Sequence, residues 1–180
     1  WTWSSNYIYV YSAEDPGLRY SGIEVQQRQF CVSTNDHSYL HFNGLDALYS
    51  ANAGYDSNND HTVSNQRGCI IENSEIGFIG GVTGQQYGFG IAMSYSDLTI
   101  RQNEIHHCGR RGISVNMEYT SSPWTVENIL IEKNTFYGGS HTTSLDMTVN
   151  NGGSSCSING VIFRYNLVYE EQGLTVPYPS

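Results

Sequence analysis

The eight residues Leu98-Thr99-Ile100-Arg101-Gln102-Asn103-Glu104-Ile105 decide how the chain is read. Apolar side chains alternate through Leu98, Ile100 and Ile105, with a polar break at Asn103, which is the period-two signature of a short strand followed by a bend. The same pattern returns at Cys69–Ile76, Ile129–Phe136 and Val161–Val168, and more weakly at Leu40–Ala47, so the copies start at 40, 69, 98, 129 and 161. A recurrence near thirty residues marks a repeat architecture, whose unit cannot bury its own inner face until units stack.

A second element accompanies the first: Gly90-Ile91-Ala92-Met93, Gly112-Ile113-Ser114-Val115, Ser144-Leu145-Asp146-Met147 and Gly173-Leu174-Thr175-Val176. Short strands joined by Gly and Asn turns compose one coil of a solenoid. Stacking coils at about 4.8 Å pairs every strand with its successor. In that register the sixth position (Ser74, Asn103, Asn134, Asn166) predicts a polar ladder at a bend. The fourth (Glu72, Arg101, Glu132, Arg164) predicts alternating charges on successive rungs. The fold expected is all-β: a right-handed parallel β-helix solenoid of about five coils over residues 1–180, one domain. Neither end carries a convincing cap, so the expectation includes a fragment of a longer helix or end-to-end or trimeric self-association.

The I-x-I-x-x-N-x-I copies followed by G-I-x-V resemble the right-handed parallel β-helix repeat of the pectin-lyase-like superfamily. The opening Tyr7–Tyr11 with Asp15-Pro16-Gly17 is similar to segments of its secreted members. The resemblance spans Tyr7 to Val176 and implies an extracellular or cell-surface, carbohydrate-active protein that binds or processes a polysaccharide in a lateral groove, as a lyase, glycosidase or epimerase. It also admits non-catalytic adhesins, tailspike-like proteins and filaments. The D-D, G-H-G and R-x-K elements of polygalacturonases are missing, so the resemblance supplies no catalytic residue.

Composition narrows the partners. Charged residues are 14% of the chain and the formal net charge is −9, which repels phosphate backbones and argues against nucleic acid. No run of residues reaches a transmembrane length. Cys31, Cys69, Cys108 and Cys156 form no C-x-x-C pair, and free buried thiols are the simple reading.

Loop lengths suggest where chemistry sits. The connection Ser94–Asp97 is short between longer ones at Asp56–Gly68 and Asn116–Asn128, which predicts a cleft. Its floor would hold Tyr95 and Asp97, and its walls His61, Glu118, Tyr119 and Trp124. Carboxylates at such a site bind hydroxyls or act as acid and base, and aromatic faces stack on sugar rings. Asp146, on the outward position of its strand with Ser114 as rung neighbour, is a further candidate acid or base, so the candidate catalytic set is Asp146, Glu118, Asp97 and His61. Tyr95, Tyr119, Trp124, Arg110 and Arg111 are the candidate substrate-binding residues, the arginines toward a uronate carboxylate. Asp56, Asn58 and Asp60 have D-x-N-x-D spacing, a weak calcium-type pattern that lacks the EF-hand's Gly and Glu. His106-His107-Cys108 reads as a structural turn.

Overall fold

The computed structural model of the 180-residue chain describes residues 2–4, 7–9, 15, 28–57, 66–80, 88–118, 124–139, 143–150 and 156–169. No helix occurs among them, and so none is long and apolar enough to cross a membrane. An antiparallel pair, β1 (Thr2–Ser4) with β2 (Tyr7–Tyr9), stands apart from three parallel sheets.

The first sheet contains β3 (Phe30–Ser33), β6 (Ala53–Asp56), β9 (Phe89–Ala92), β12 (Arg111–Glu118) and β15 (Thr143–Asn150). The second contains β4 (His41–Asn43), β7 (Ile70–Glu72), β10 (Thr99–Arg101), β13 (Trp124–Glu132) and β16 (Cys156–Arg164). The third contains β5 (Ala47–Leu48), β8 (Glu75–Ile79), β11 (Glu104–Cys108), β14 (Thr135–Tyr137) and β17 (Leu167–Tyr169). Within each sheet a strand pairs with the third strand before and after it, which is the connectivity of a parallel β-solenoid.

The register is the one the repeat demands. Ile71, Ile100, Ile131 and Phe163 stack on the inner side of the second sheet. Ile76, Ile105, Phe136 and Val168 do so in the third, and Tyr55, Ile91, Ile113 and Leu145 in the first. The middle rungs of all three stacks are buried, so the core is a column of like residues. The glycines opening the G-I-x-V strands are required by close approach. A Cβ on Gly90 would lie 2.5 Å from the carbonyl oxygen of Gly112, and one on Gly112 would lie 2.7 Å from that of Ser144.

The corners repeat as strictly as the strands. Positive φ recurs at Tyr39, Gly68, Asp97, Asn128 and Gly160, then at Gly44, Asn73, Gln102, Lys133 and Tyr165, and again at Tyr49, Phe78, His107 and Gly138. Each coil thus turns through left-handed residues five positions apart. Such a conformation disfavours most side chains, so tertiary contacts must hold it.

At the second corner the asparagine ladder supplies them. Asn103 Nδ2 donates to Asn134 Oδ1 at 3.0 Å and to the Ile71 carbonyl at 2.9 Å, while its own Oδ1 accepts from the Ser74 amide at 3.1 Å. Asn134 repeats this with Asn166 and the Ile100 carbonyl at 3.1 and 2.9 Å. Beside it the alternating charges pair in twos: Glu72 with Arg101 at 2.5 Å, and Glu132 with Arg164 at 2.8 Å.

Two expectations change. The Asn116–Asn128 connection is largely strand, because β12 runs to Glu118 and β13 begins at Trp124, each paired with an equally long neighbour, β15 and β16. His106-His107-Cys108 is part of β11, with the bend at His107 alone.

Candidate functional site on the outer face of the first sheet

The structure joins three of the residues singled out by sequence. Gly88, at φ 107°, offers its carbonyl to the amides of both Arg110 and Arg111, at 2.8 and 3.2 Å, and so fixes where β12 starts. Arg111 stands opposite Phe89 and Thr143, and three residues further along Ser114 stands opposite Ala92 and Asp146. The arginine spans that offset. Its Nη1 lies 2.8 Å from Asp146 Oδ2 and 3.4 Å from Ser114 Oγ. Thr148 Oγ1 donates to the same Asp146 oxygen at 2.9 Å. The guanidinium carbons of Arg110 and Arg111 lie 5.5 and 5.7 Å from the centroid of Phe89, within cation–π range.

This pair is sheltered but reachable: the side chains of Arg111 and Asp146 are 15% and 22% exposed. At that depth a charge is screened less than at the surface, and its hydrogen bonds are charge-assisted. A guanidinium carries donors on two edges, so one that holds Asp146 on Nη1 still has the geometry to meet a second planar anion. The site can therefore fix a carboxylate or orient a hydroxyl between Arg111 and Asp146.

The other candidates stand elsewhere. Tyr95 is 1% exposed, with its hydroxyl donating to the His37 carbonyl at 3.1 Å and lying 2.5 Å from Thr34 Oγ1. Burial pushes its phenol up to about 12. Trp124 is 7% exposed and belongs to the core. Neither has a ring face to offer a sugar, which corrects their reading as platforms: the period-two alternation turns both inward.

Asp97 sits at a left-handed corner, bound by Arg67 Nη2 at 2.7 Å and by Asn128 Nδ2 at 2.9 Å. Those bonds, Arg67 first, hold its carboxyl below the usual carboxylate range. Glu118 ends β12, with its backbone opposite Asn150. Tyr119 and His61 lie outside the described residues, as do Asn58 and Asp60 of the calcium-type loop. Asp56 is described, at the buried end of β6 between Ser33 and Ala92. Among the described residues no group of three or more His, Cys, Asp or Glu side chains could hold a metal ion. Cys31, Cys69, Cys108 and Cys156 form no disulfide with one another, and Cys69 and Cys108 are buried.

One assembly escaped the sequence reading. On the third sheet His106 is 3% exposed, its ring stacked 4.8 Å from that of Tyr137 on one side. On the other side a Cβ added to Gly77 would come within 2.4 Å of the ring. Its Nε2 lies 3.1 Å from Glu75 Oε1 and its Nδ1 lies 2.8 Å from His107 Nδ1. Tyr49, Phe78 and His107 stack alongside at 5.0 and 5.1 Å. Within each of the two stacks the rings lie face to face, and the stacks meet edge-on through His106 and His107. Asp46, Glu75 and Glu104 place acids on three successive rungs of this sheet, and each is relieved locally. Asp46 Oδ1 accepts the Glu75 amide at 2.8 Å, Glu75 meets His106, and Glu104 accepts from Tyr137. That last bond pushes the Tyr137 phenol up to about 12. Adjacent histidines in a strand gave no signal, because only the stacking of rungs brings Gly77 and Tyr137 onto the ring.

Comparison of the chain with models of protein families, with curated proteins and with solved structures finds no match.

Proposed function

We propose that this β-solenoid is an extracellular, pectin-lyase-like protein that binds an acidic polysaccharide along the outer face of its first sheet. Arg110 and Arg111 receive carboxylates, and Asp146 receives hydroxyls. The observation that carries the reading is the Arg111–Asp146 pair at 2.8 Å, with Arg110 and Arg111 both gathered at Phe89, in a chain of net charge −9. A cationic pair on so acidic a chain is a local feature, which suits an anionic ligand more than general charge attraction.

Binding without turnover is favoured over processing. The two candidate acids whose side chains are described are committed to arginines, Asp146 to Arg111 and Asp97 to Arg67. A general acid or base must instead exchange its proton with substrate. In a catalytic version Asp146 would act with Glu118, Asp97 and His61, and calcium at Asp56, Asn58 and Asp60 would screen uronate charge.

The test is affinity electrophoresis and calorimetry on polygalacturonate, alginate and neutral glucans, with and without calcium, alongside assays for reducing ends and unsaturated products. Binding to a uronate polymer without product is expected. Arg110→Ala and Arg111→Ala should each weaken it by about ten- to a hundredfold, the range of one charged hydrogen bond, with melting curves checking that the variants fold. Equal affinity for neutral glucans, or unchanged affinity in both variants, would sink the proposal.

A further inference from the structure

We infer that Tyr137 and Tyr169 form a site of one-electron oxidation that ends in a dityrosine bond between two neighbouring coils. Their ring centroids lie 5.3 Å apart and their planes are 10° from parallel. Elsewhere among the described residues tyrosines meet other groups. Tyr55 and Tyr95 are buried in the core, Tyr49 stacks on Phe78, the Tyr39 ring lies against Gly68, and Arg164 lies over the Tyr165 ring.

The third sheet prepares this pair for coupling. Its parallel register sets Tyr137 opposite Tyr169 on adjacent rungs, so both side chains leave the sheet in the same direction. On the other face of Tyr137 the His106 ring stacks at 4.8 Å and 9°. That imidazole is 3% exposed and tied to Glu75 and His107, so it backs the Tyr137 ring against movement away from Tyr169. The Tyr137 hydroxyl donates to Glu104 Oε1 at 2.5 Å. An oxidised phenol is a strong acid, so its electron leaves readily where a positioned base takes the proton. The Tyr137 phenol holds that proton up to about pH 12. Near neutrality, electron and proton must therefore leave together, and Glu104 is the base in place to receive the proton.

The oxidant is a one-electron acceptor of the peroxidase or metal-complex class. Each phenol gives up one electron and one proton, that of Tyr137 passing to Glu104, and becomes a phenoxyl radical. Ring carbons ortho to the two oxygens then pair and form one C–C bond. Each of those carbons loses its hydrogen as a proton while a proton returns to the oxygen, which restores both phenols. In all, the pair loses two electrons and two protons. The new bond closes a covalent loop around one full coil, from β14 to β17, and so restricts the unfolded chain as a disulfide does.

Oxidising the folded chain at low concentration with photogenerated ruthenium(III) tris-bipyridyl and persulfate, then mapping peptides of the monomer by mass spectrometry, tests the inference. A peptide pair joined at Tyr137 and Tyr169 is expected, together with dityrosine fluorescence. Oxidised wild type should melt above oxidised Tyr169→Phe, which keeps the ring but lacks the phenol. Glu104→Gln keeps an acceptor for the Tyr137 hydroxyl but no base, and should lower the yield by about tenfold, the weight of one charge-assisted hydrogen bond. Melting curves taken before oxidation check that both variants fold. A monomer in which Tyr137 is joined to another tyrosine, or to none, would overturn the inference. An equal yield from the urea-unfolded chain, or from Glu104→Gln, would do the same.

Discussion

The two corners that flank the third sheet make the same left-handed bend with opposite chemistry. At one, Asn73, Gln102, Lys133 and Tyr165 turn the chain, and the next residues, Ser74, Asn103, Asn134 and Asn166, lock the turn from inside through ladder hydrogen bonds. At the other, Tyr49, Phe78 and His107 turn the chain and are held from outside by stacking on one another. A buried amide must satisfy fixed donors and acceptors, so few residue types serve. A partly exposed stack only needs flat rings of similar size, so many do. Strict geometry leaves a mark in sequence; tolerant geometry leaves little.

The largest test of that contrast removes one rung from each corner. Asn103→Ala should cost about 3 kcal/mol or more, because it strips partners from the buried Ser74 amide and Ile71 carbonyl. Phe78→Ala should cost about 1 kcal/mol, the value of an aromatic contact beyond area. Urea denaturation measures both, and equal losses would erase the distinction between corners.

Next comes the glycine under the buried imidazole. Gly77→Ala puts a methyl group 2.4 Å from the His106 ring, which is pinned between Glu75 and His107. The expected loss is about 2 kcal/mol, in the range for overpacking. A neutral result would mean that the third-sheet stack yields easily.

A smaller effect has the opposite sign. Lys133, at φ 56°, is exposed and followed by the ladder residue Asn134. Lys133→Gly should stabilise by up to about 1 kcal/mol, since glycine relieves the left-handed strain at some entropic cost. Asn73→Gly at the equivalent place should change less, because Asn tolerates that region. Thermal melts of both variants would sharpen which residues carry the strain.

The smallest expected change is in the acid limb of the stability curve. Hydrogen bonds from Arg101 and then His41 hold the Glu72 carboxyl below its usual range. Below about pH 4.3, the ordinary glutamate value, the unfolded chain therefore takes up a proton that the folded chain refuses. Stability is present above that pH and is lost as pH falls through the lowered folded value. Arg101→Gln should make this loss shallower in pH-dependent denaturation, and an unchanged slope would show that the pair adds nothing.

Much of the architecture was readable in advance because the ladder and the charge row repeat at the rung spacing. Asn103 beside Asn134 and Arg101 beside Glu132 follow from counting. The site was readable only in part. Ser114 beside Asp146 came from the same counting, but the reach of Arg111 across three residues to that carboxylate did not. The burial of Tyr95 and Trp124 was not readable, because loop length says little about which way a ring turns, and both belong to the core.

By itself, the order of residues determined the repeat, its register and the inner stacks of Ile71, Ile100 and Ile131, since periodic burial is a one-dimensional property. Only the stacked coils decided which polar groups meet across unlike positions of the repeat. His106 finding Gly77, Tyr137 and Glu75, and Arg111 finding Asp146, depend on side chains from separate rungs brought within a few ångströms. Their contact energies exist only after the solenoid has closed, and nothing local in the chain encodes them.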